Sequence, residues 1–472
     1  MLLGRGARFG YGCAAGVPPS QVCLRRVSRR VRPATRKVSR MVTSRDATAT
    51  RWRGAASLRR HAAPHVVAVL SIGLAAVVAA LATFAFQVTS ARAIGPEDFG
   101  LLAAFLAILN VAAIASSAMQ NTVAVGIAET SISTNAVPTR RGPSEVTLLG
   151  TGFAVVVLAL TPVLVHLLHT DAVVVLVAVA VIPLCFWLSE AVGVLQGLGR
   201  AAEATWWPAL ALVARVAIMV VALALGLGIA GVLTAVLIST GLGVVVARIP
   251  VRRVPHATRR VFTATGLTVL LLSLLLAWLL NSDVIALRVG APGVVAGTFA
   301  SAAILVKAVF MLPSTLSVYL LPRFVRNRGN EQLVRVGERV TLGVTAVSGL
   351  ALAAVFWLFG DLIVRLLYGA AFAQSGGLLF KLSLAYLPWI MAWSVYIRLI
   401  ARASRPAVAV LVVAAILQGI GFWLAVPDVT ALMWVQAVIG VAVLISFFVL
   451  VRRLDNPTDA SAAKSSAAHQ VA

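Results

Sequence analysis

Twelve long apolar runs constrain this chain more than any other feature of its sequence. A helix needs about 20 predominantly apolar residues to cross the hydrocarbon core of a bilayer, and each run is about that long. The intervals between runs reach only about 25 residues, which is too short for a folded soluble domain. The predicted spans are 65–88, 99–119, 146–168, 172–196, 205–226, 229–247, 262–281, 293–320, 340–359, 376–399, 406–425 and 429–451.

Composition and charge distribution exclude several classes of protein. Hydrophobic residues make up 60% of the chain and charged residues 12%, against about 45–50% and about 25% in soluble domains. The net charge of +25 alone would suggest a nucleic-acid partner, but 15 of the 40 Lys and Arg residues precede residue 61 and most others lie between apolar runs. The sequence therefore predicts an all-α polytopic membrane protein, with no nucleic acid as partner.

The basic residues predict the orientation of the spans. One end of the spans carries only Arg92, Arg288 and Arg365. Because cytoplasmic loops are enriched in Lys and Arg, the opposite end is expected in the cytoplasm together with both termini, as an even number of spans requires. That end carries the N-terminal tail and Arg140, Arg141, Arg200, Arg248, Arg252, Arg253, Arg259, Arg260, Arg323, Arg326, Arg328, Arg335, Arg339, Arg402, Arg405, Arg452 and Arg453.

The longest basic loop, at 248–261, divides the spans into two groups of six. We therefore predict a first lobe over 65–247, a second lobe over 262–451 and a C-terminal tail over 452–472. Residues 1–64 are basic and are expected to be disordered. They allow three interpretations: a transit peptide, a tail on anionic lipid, or a stretch that precedes a true start at Met41.

A short phrase occurs once in each predicted lobe. After span one the chain reads Arg92-Ala-Ile-Gly-Pro-Glu-Asp-Phe-Gly100, and after span seven it reads Arg288-Val-Gly-Ala-Pro-Gly-Val-Val-Ala-Gly297. Gly and Pro favour a tight exit and a helix start, and a later Gly permits close helix packing. The pattern favours a parallel repeat of two similarly oriented lobes, although Gly-Pro links are also common in transmembrane hairpins.

Four phrases resemble polysaccharide or O-antigen (lipid-linked oligosaccharide) flippases of the multidrug/oligosaccharidyl-lipid/polysaccharide (MOP) exporter superfamily. The resemblance covers about residues 65–451. The phrases are ARAIGPEDFGLLAA at 91–104, GVLQGLGR at 193–200, the stretch from Asn281 and Asp283 through Pro313 to Leu321-Pro322-Arg323, and LYGAAF at 367–372.

The resemblance implies a secondary transporter of two rocking lobes. Such a flippase moves a polyprenyl-pyrophosphate-linked oligosaccharide from the inner to the outer leaflet of the plasma membrane. The implied partners are this lipid-linked saccharide, membrane lipids, and glycosyltransferases or a polymerase of the same export pathway. The three cysteines and six histidines have no metal-ligand spacing, so no cofactor or metal is expected.

Charges within apolar runs are the candidate site residues, because a charge at mid-bilayer costs about 2.5–3.5 kcal/mol on insertion scales. Lys307 lies mid-span and is expected to bind the pyrophosphate as a point charge; its alternatives are snorkelling to the interface and pairing with a carboxylate. Arg215 is a second candidate pyrophosphate ligand, or the ion-pair partner of Glu190. Lys381 is a third candidate pyrophosphate ligand and Arg92 is a fourth. Lys381 could instead snorkel to the interface.

Acidic residues could couple transport to an ion. Asp283, at the end of span seven, could take up a cation or a proton, or pair locally with Arg288. Glu190 in span four could form a charged wall of the first lobe, or the ion pair with Arg215.

Three other functions remain to be weighed against the flippase. A multidrug exporter of the same fold would need carboxylates in its cavity, whereas the deep charges here are mainly basic. A membrane glycosyltransferase would need a larger outer loop or domain. A wall-precursor lipid flippase would usually have more spans. No catalytic triad, HExxH helix or P-loop is present in the sequence, so we do not expect an enzyme.

Overall fold

The structure, a computed structural model, describes residues 45–132, 144–251, 264–308 and 331–455. These residues are helical apart from short turns and contain no strand. The chain forms two compact units, residues 1–63 and 64–472. In the first unit the described chain begins with helix at Arg45; residues 1–44 lie outside the described residues, so the disordered tail stays a prediction.

The helices follow the predicted spans. They are α1 (Arg45–Ile132), α2 (Glu145–Ala159), α3 (Thr161–Leu168), α4 (Ala172–Gly197), α5 (Ala201–Ala224), α6 (Gly228–Arg248), α7 (Ala264–Gly290), α8 (Gly293–Ala308), α9 (Glu331–Leu367), α10 (Gly376–Ala401), α11 (Arg405–Ala425) and α12 (Val429–Asp455). Short 3-10 helices cover Ile249–Val251 and Ala370–Ser375.

The first helix contains two membrane crossings. Its apolar part, Leu70–Ala128, has 59 residues, about 88 Å of helix and twice the thickness of a bilayer. Gly95 interrupts it with φ 78° and ψ 176°, a backbone conformation that glycine adopts readily. Ser71 accepts a hydrogen bond from Trp206 near the start of α5, and Ile127 packs on Gly197 at the end of α4. The chain therefore reverses direction at Gly95, which separates the predicted spans 65–88 and 99–119.

The described residues contain nine apolar helices that are long enough to cross a membrane, counting Leu70–Ala128 once. The third predicted span is a tenth, formed by α2 and α3 with a bend of 59°, where Pro162 lies in the first turn of α3. Helix α8 has 16 residues, and the rest of its predicted span lies outside the described residues. The all-helical polytopic fold is thus confirmed, whereas the orientation of the termini stays a prediction.

Helix packing is densest within each predicted half of the chain. In residues 65–247, called the first half below, α4 packs on α2 and α6, and α6 packs on α5. In residues 262–451, the second half, α10 packs on α8, α9 and α12, while α7 packs on α8 and α11. The predicted 248–261 connector lies largely outside the described residues, so its role stays a prediction.

Candidate functional site

The two copies of the repeated phrase contact each other across the two halves. A Cβ atom added to Gly297 would lie 2.6 Å from the carbonyl carbon of Pro96, and one added to Gly100 would lie 2.9 Å from the backbone nitrogen of Gly297. Such distances leave no room for any side chain. The glycines thus let the start of α8 pack directly on the backbone that follows Gly95.

Arg92 and three aromatic rings extend this contact. The Arg92 Nε donates to the carbonyl oxygen of Leu367 at 2.7 Å, and its guanidinium also donates to the carbonyl of Leu366, so it caps the C-terminal end of α9. The ring of Phe99 lies 6.1 Å from that of Tyr368 and 5.7 Å from that of Phe372. We call this set of contacts between the halves the closed end; it comprises residues 92–100, 288–297 and 366–372.

A buried ion pair joins α7 and α8 within the second half. The Nζ of Lys307 lies 2.9 Å from Oδ1 and 3.1 Å from Oδ2 of Asp283. The hydroxyl of Tyr386 on α10 donates to the same carboxylate, and its ring lies 5.2 Å from the ammonium. The Asp283 side chain is fully buried and that of Lys307 is 20% exposed. In the structure Lys307 is therefore neutralised by a carboxylate, as in the alternative that we gave for it.

The helix hairpin explains why these two residues meet. Asp283 lies seven residues before the end of α7, and Lys307 is the fifteenth residue of α8. Side chains of a helix tilt toward its N-terminus, so the long Lys307 side chain reaches back toward the turn and Asp283. The structure pairs Asp283 with Lys307 rather than with Arg288, whose Nη1 lies 3.5 Å from the carbonyl oxygen of Glu97; a role of Asp283 in ion coupling stays a prediction.

Arg215 has a different environment from the one we predicted. Its Nε donates to Ser239 at 3.1 Å and its Nη2 to Thr240 at 3.2 Å, and the guanidinium lies 5.8 Å from the ring of Phe86. Among the described residues no carboxylate pairs with it. Arg215 is thus a cation in the middle of α5 held by two hydroxyls of α6.

Glu190 pairs with Arg248 rather than with Arg215. Its Oε2 lies 3.6 Å from Nη2 of Arg248, whose guanidinium also stacks 5.3 Å from the ring of Trp187. The predicted Glu190–Arg215 pair is therefore wrong. Arg248 ends α6, close to the end of α4, and a long side chain reaches inward from there. The sequence signal for this partner was the basic residue at the end of span six.

Lys381 lies on the first turns of α10, where it is exposed. It lines a cavity between α9 and α10 together with Asp361 and Trp357. Asp361 was missed in the sequence because the predicted ninth span ended at residue 359, whereas the helix continues to Leu367. The described residues hold no cluster of three metal-ligating side chains.

Comparison with known proteins identifies the fold. No protein-family model matches the sequence, and no curated protein matches it. A solved structure described as an inward-facing multidrug resistance MATE family transporter of the MOP superfamily superposes with a TM-score of 0.56 and 17% identity, over 79% of this chain and 94% of that chain. An inward closed structure of the lipid II flippase MurJ gives 0.55 and 14%, over 81% and 87%.

A third structure, of an outward-facing MATE family transporter, gives a TM-score of 0.51 with 14% identity, over 82% of this chain and 96% of that chain. Identities this low establish a shared fold and nothing finer about the substrate. The chain is therefore a multi-pass membrane protein with the fold of MOP superfamily transporters.

Proposed function

We propose that the protein is a secondary transporter that flips a polyprenyl-pyrophosphate-linked oligosaccharide from the inner to the outer leaflet of the plasma membrane. In this role it serves the export of a cell-surface polysaccharide, together with glycosyltransferases or a polymerase of the same pathway. The fold shared with a MATE transporter and with a lipid II flippase supports transport by alternating access, while the substrate class rests on the charges of the interior.

The observation that carries the proposal is the charge of Arg215. Among the described deep charges, Lys307 is neutralised by Asp283, whereas the contacts of Arg215 are two neutral hydroxyls and an aromatic ring. Three of its five N–H donors therefore have no hydrogen-bond partner among the described residues and are available to another ligand. A membrane-interior cation without a carboxylate favours an anionic substrate such as a diphosphate and disfavours an organic cation.

The ion pair of the second half supports an order for the proposed contacts. Because Lys307 already binds Asp283, Arg215 makes the first contact with the diphosphate, and Lys307 joins only when the diphosphate competes with the Asp283 carboxylate. The closed end carries Arg92 and Arg288, and Arg365 directly precedes its third segment; the positive-inside rule assigns these three arginines to the outside. That orientation supports a resting state open toward the cytoplasm, where a lipid-linked precursor enters.

Depletion of the protein in its native cell, followed by mass spectrometry of polyprenyl-linked saccharides, tests the proposal. Cells are restored with wild type, Arg215→Gln, Arg215→Lys or Arg200→Gln. Arg200 is the matched control, since it pairs with Glu203 at 2.6 Å on the surface. We expect a lipid-linked oligosaccharide to accumulate, wild type and Arg200→Gln to clear it, Arg215→Lys to clear it partly, and Arg215→Gln to leave it.

Other results would overturn parts of the proposal separately. Unchanged lipid-linked saccharides after depletion would refute the flippase function and favour export of a drug or another small molecule. Accumulation of the cell-wall precursor lipid alone would identify a wall-precursor flippase. Clearance by Arg215→Gln at the wild-type rate would remove Arg215 from the path of the substrate.

A further inference from the structure

A cavity of about 330 Å³ lies between α9 and α10 near the closed end. Its walls contain three aromatic residues, Phe356, Trp357 and Phe380, and two opposite charges, Asp361 and Lys381. Trp357 and Asp361 are four residues apart and therefore share one face of α9. Both charges thus face one space that is bordered by apolar surface.

Neither charge has a partner in the part of the chain that the structure describes. Among the described residues, no ion pair or hydrogen bond involves the Asp361 carboxylate or the Lys381 ammonium. Asp361 is pressed against the first residue of α10, since a Cβ added to Gly376 would lie 2.8 Å from the Asp361 Cα and 3.0 Å from its Cγ. The positive end of the α10 dipole favours a carboxylate at this point.

The depth of the cavity matches the boundary between lipid headgroups and acyl chains. The apolar part of α9, Val340–Leu367, has 28 residues, about 42 Å of helix, which equals a bilayer with its headgroup regions. Asp361 precedes Leu367 by six residues and Lys381 follows Gly376 by five, so both lie about 8–9 Å below the helix ends. An unpaired charge at this depth is unfavourable unless a ligand or a headgroup satisfies it.

We propose that this cavity binds the headgroup of a zwitterionic phospholipid. Lys381 binds the phosphate and Asp361 binds the ammonium of the headgroup, so both protein charges gain charge-assisted partners. Trp357, which is 69% exposed, lies along the upper part of an acyl chain, as aromatic side chains do at membrane interfaces. Asp361 repels a ligand that carries only negative charge, so Lys381 serves this lipid rather than a transported diphosphate.

Native mass spectrometry of the full-length protein in detergent tests the site, with three probes titrated separately. The probes are phosphatidylethanolamine, phosphatidylglycerol and a polyprenyl pyrophosphate. We expect wild type to bind phosphatidylethanolamine about tenfold more tightly than phosphatidylglycerol, equal to about 1.4 kcal/mol. Asp361→Asn should abolish that preference, and Lys381→Gln should weaken binding of both phospholipids about tenfold.

Arg365→Gln is the matched control, because Arg365 is exposed near the end of α9 and does not line the cavity. It should bind both phospholipids as wild type does. Equal affinity of wild type for the two phospholipids, or an unchanged affinity in Lys381→Gln, would refute the proposal. If Asp361→Asn and Lys381→Gln instead change binding of the polyprenyl pyrophosphate alone, the cavity is an anion contact of the transport path. The proposal stands independently of the flippase function, since neither residue is needed there.

Discussion

Replacement of Gly297 by Ala should open the closed end. The added methyl carbon would lie 2.6 Å from the carbonyl carbon of Pro96 and closer still to its oxygen, whereas ordinary carbon contacts begin near 3.4 Å. The start of α8 would have to retreat by about 1 Å from a rigid backbone segment. Overpacking of this kind costs about 1–3 kcal/mol, and the cost falls only on the state in which the two halves touch.

Such a cost changes the populations of the two states. A penalty of about 1–3 kcal/mol shifts the equilibrium away from the closed end by about 5- to 150-fold. Spin labels on Ala93 and Ala370, both exposed at the closed end, report the separation of the halves by pulsed electron paramagnetic resonance. In a cysteine-free background, wild type should give mainly the short distance, and Gly297→Ala should add or favour a longer one.

The control variant is Gly73→Ala, because a Cβ added to Gly73 in α1 meets nothing within 4 Å. It should reproduce the wild-type distances and thermal stability. If Gly297→Ala also gives the wild-type distance distribution while remaining folded, the repeated phrases do not determine the closed state. The contact would then be a local packing feature, and the reasoning from the glycine pair would be wrong.

Other polar groups allow three further predictions. Lys307→Met leaves the Asp283 carboxylate buried without its cation and should lower the free energy of unfolding by about 3–5 kcal/mol. Adding Asp283→Asn to this variant should largely restore stability. If the single and the double variant lose equal stability in thermal unfolding, the ion pair is contradicted. Tyr368→Phe removes a buried hydroxyl without a partner among the described residues and should raise stability by about 1 kcal/mol. Burial raises the pKa of Tyr368, so wild type should lose more stability than Tyr368→Phe as pH rises above about 10. Arg92→Gln loses the bond to the Leu367 carbonyl and should lengthen the spin-label distance as Gly297→Ala does.

The sequence predicted the helices well because their signal is local. Each apolar run needs only its own residues to cross a bilayer, since the helix satisfies its backbone hydrogen bonds internally. The same locality explains why Asp361 was missed. A predicted span that ends before the first charged residue leaves Asp361 out, although the helix continues to Leu367. Gly95 and Pro96 likewise indicated the reversal between the first two crossings before the structure described it.

The partners of the deep charges could not be predicted in the same way. Glu190 and Arg215 lie on consecutive helices at similar depth, yet depth says nothing about which face of each helix meets the other. The structure turns Glu190 toward Arg248 and Arg215 toward Ser239 and Thr240. Residues with hydroxyl side chains carry no charge, so the sequence could not indicate that Ser239 and Thr240 would be the partners of Arg215.

The sequence by itself determined that the chain is an all-helical membrane protein, where its helices lie and that one phrase occurs in both halves. These properties follow from composition and periodicity along single segments. Only the tertiary structure decided that the two copies of the phrase contact each other at Gly100 and Gly297 and that Lys307 is neutralised by Asp283. It also decided that no carboxylate of the described residues neutralises Arg215. Charge pairing depends on the rotation and approach of helices far apart in the chain, and packing between those helices sets both.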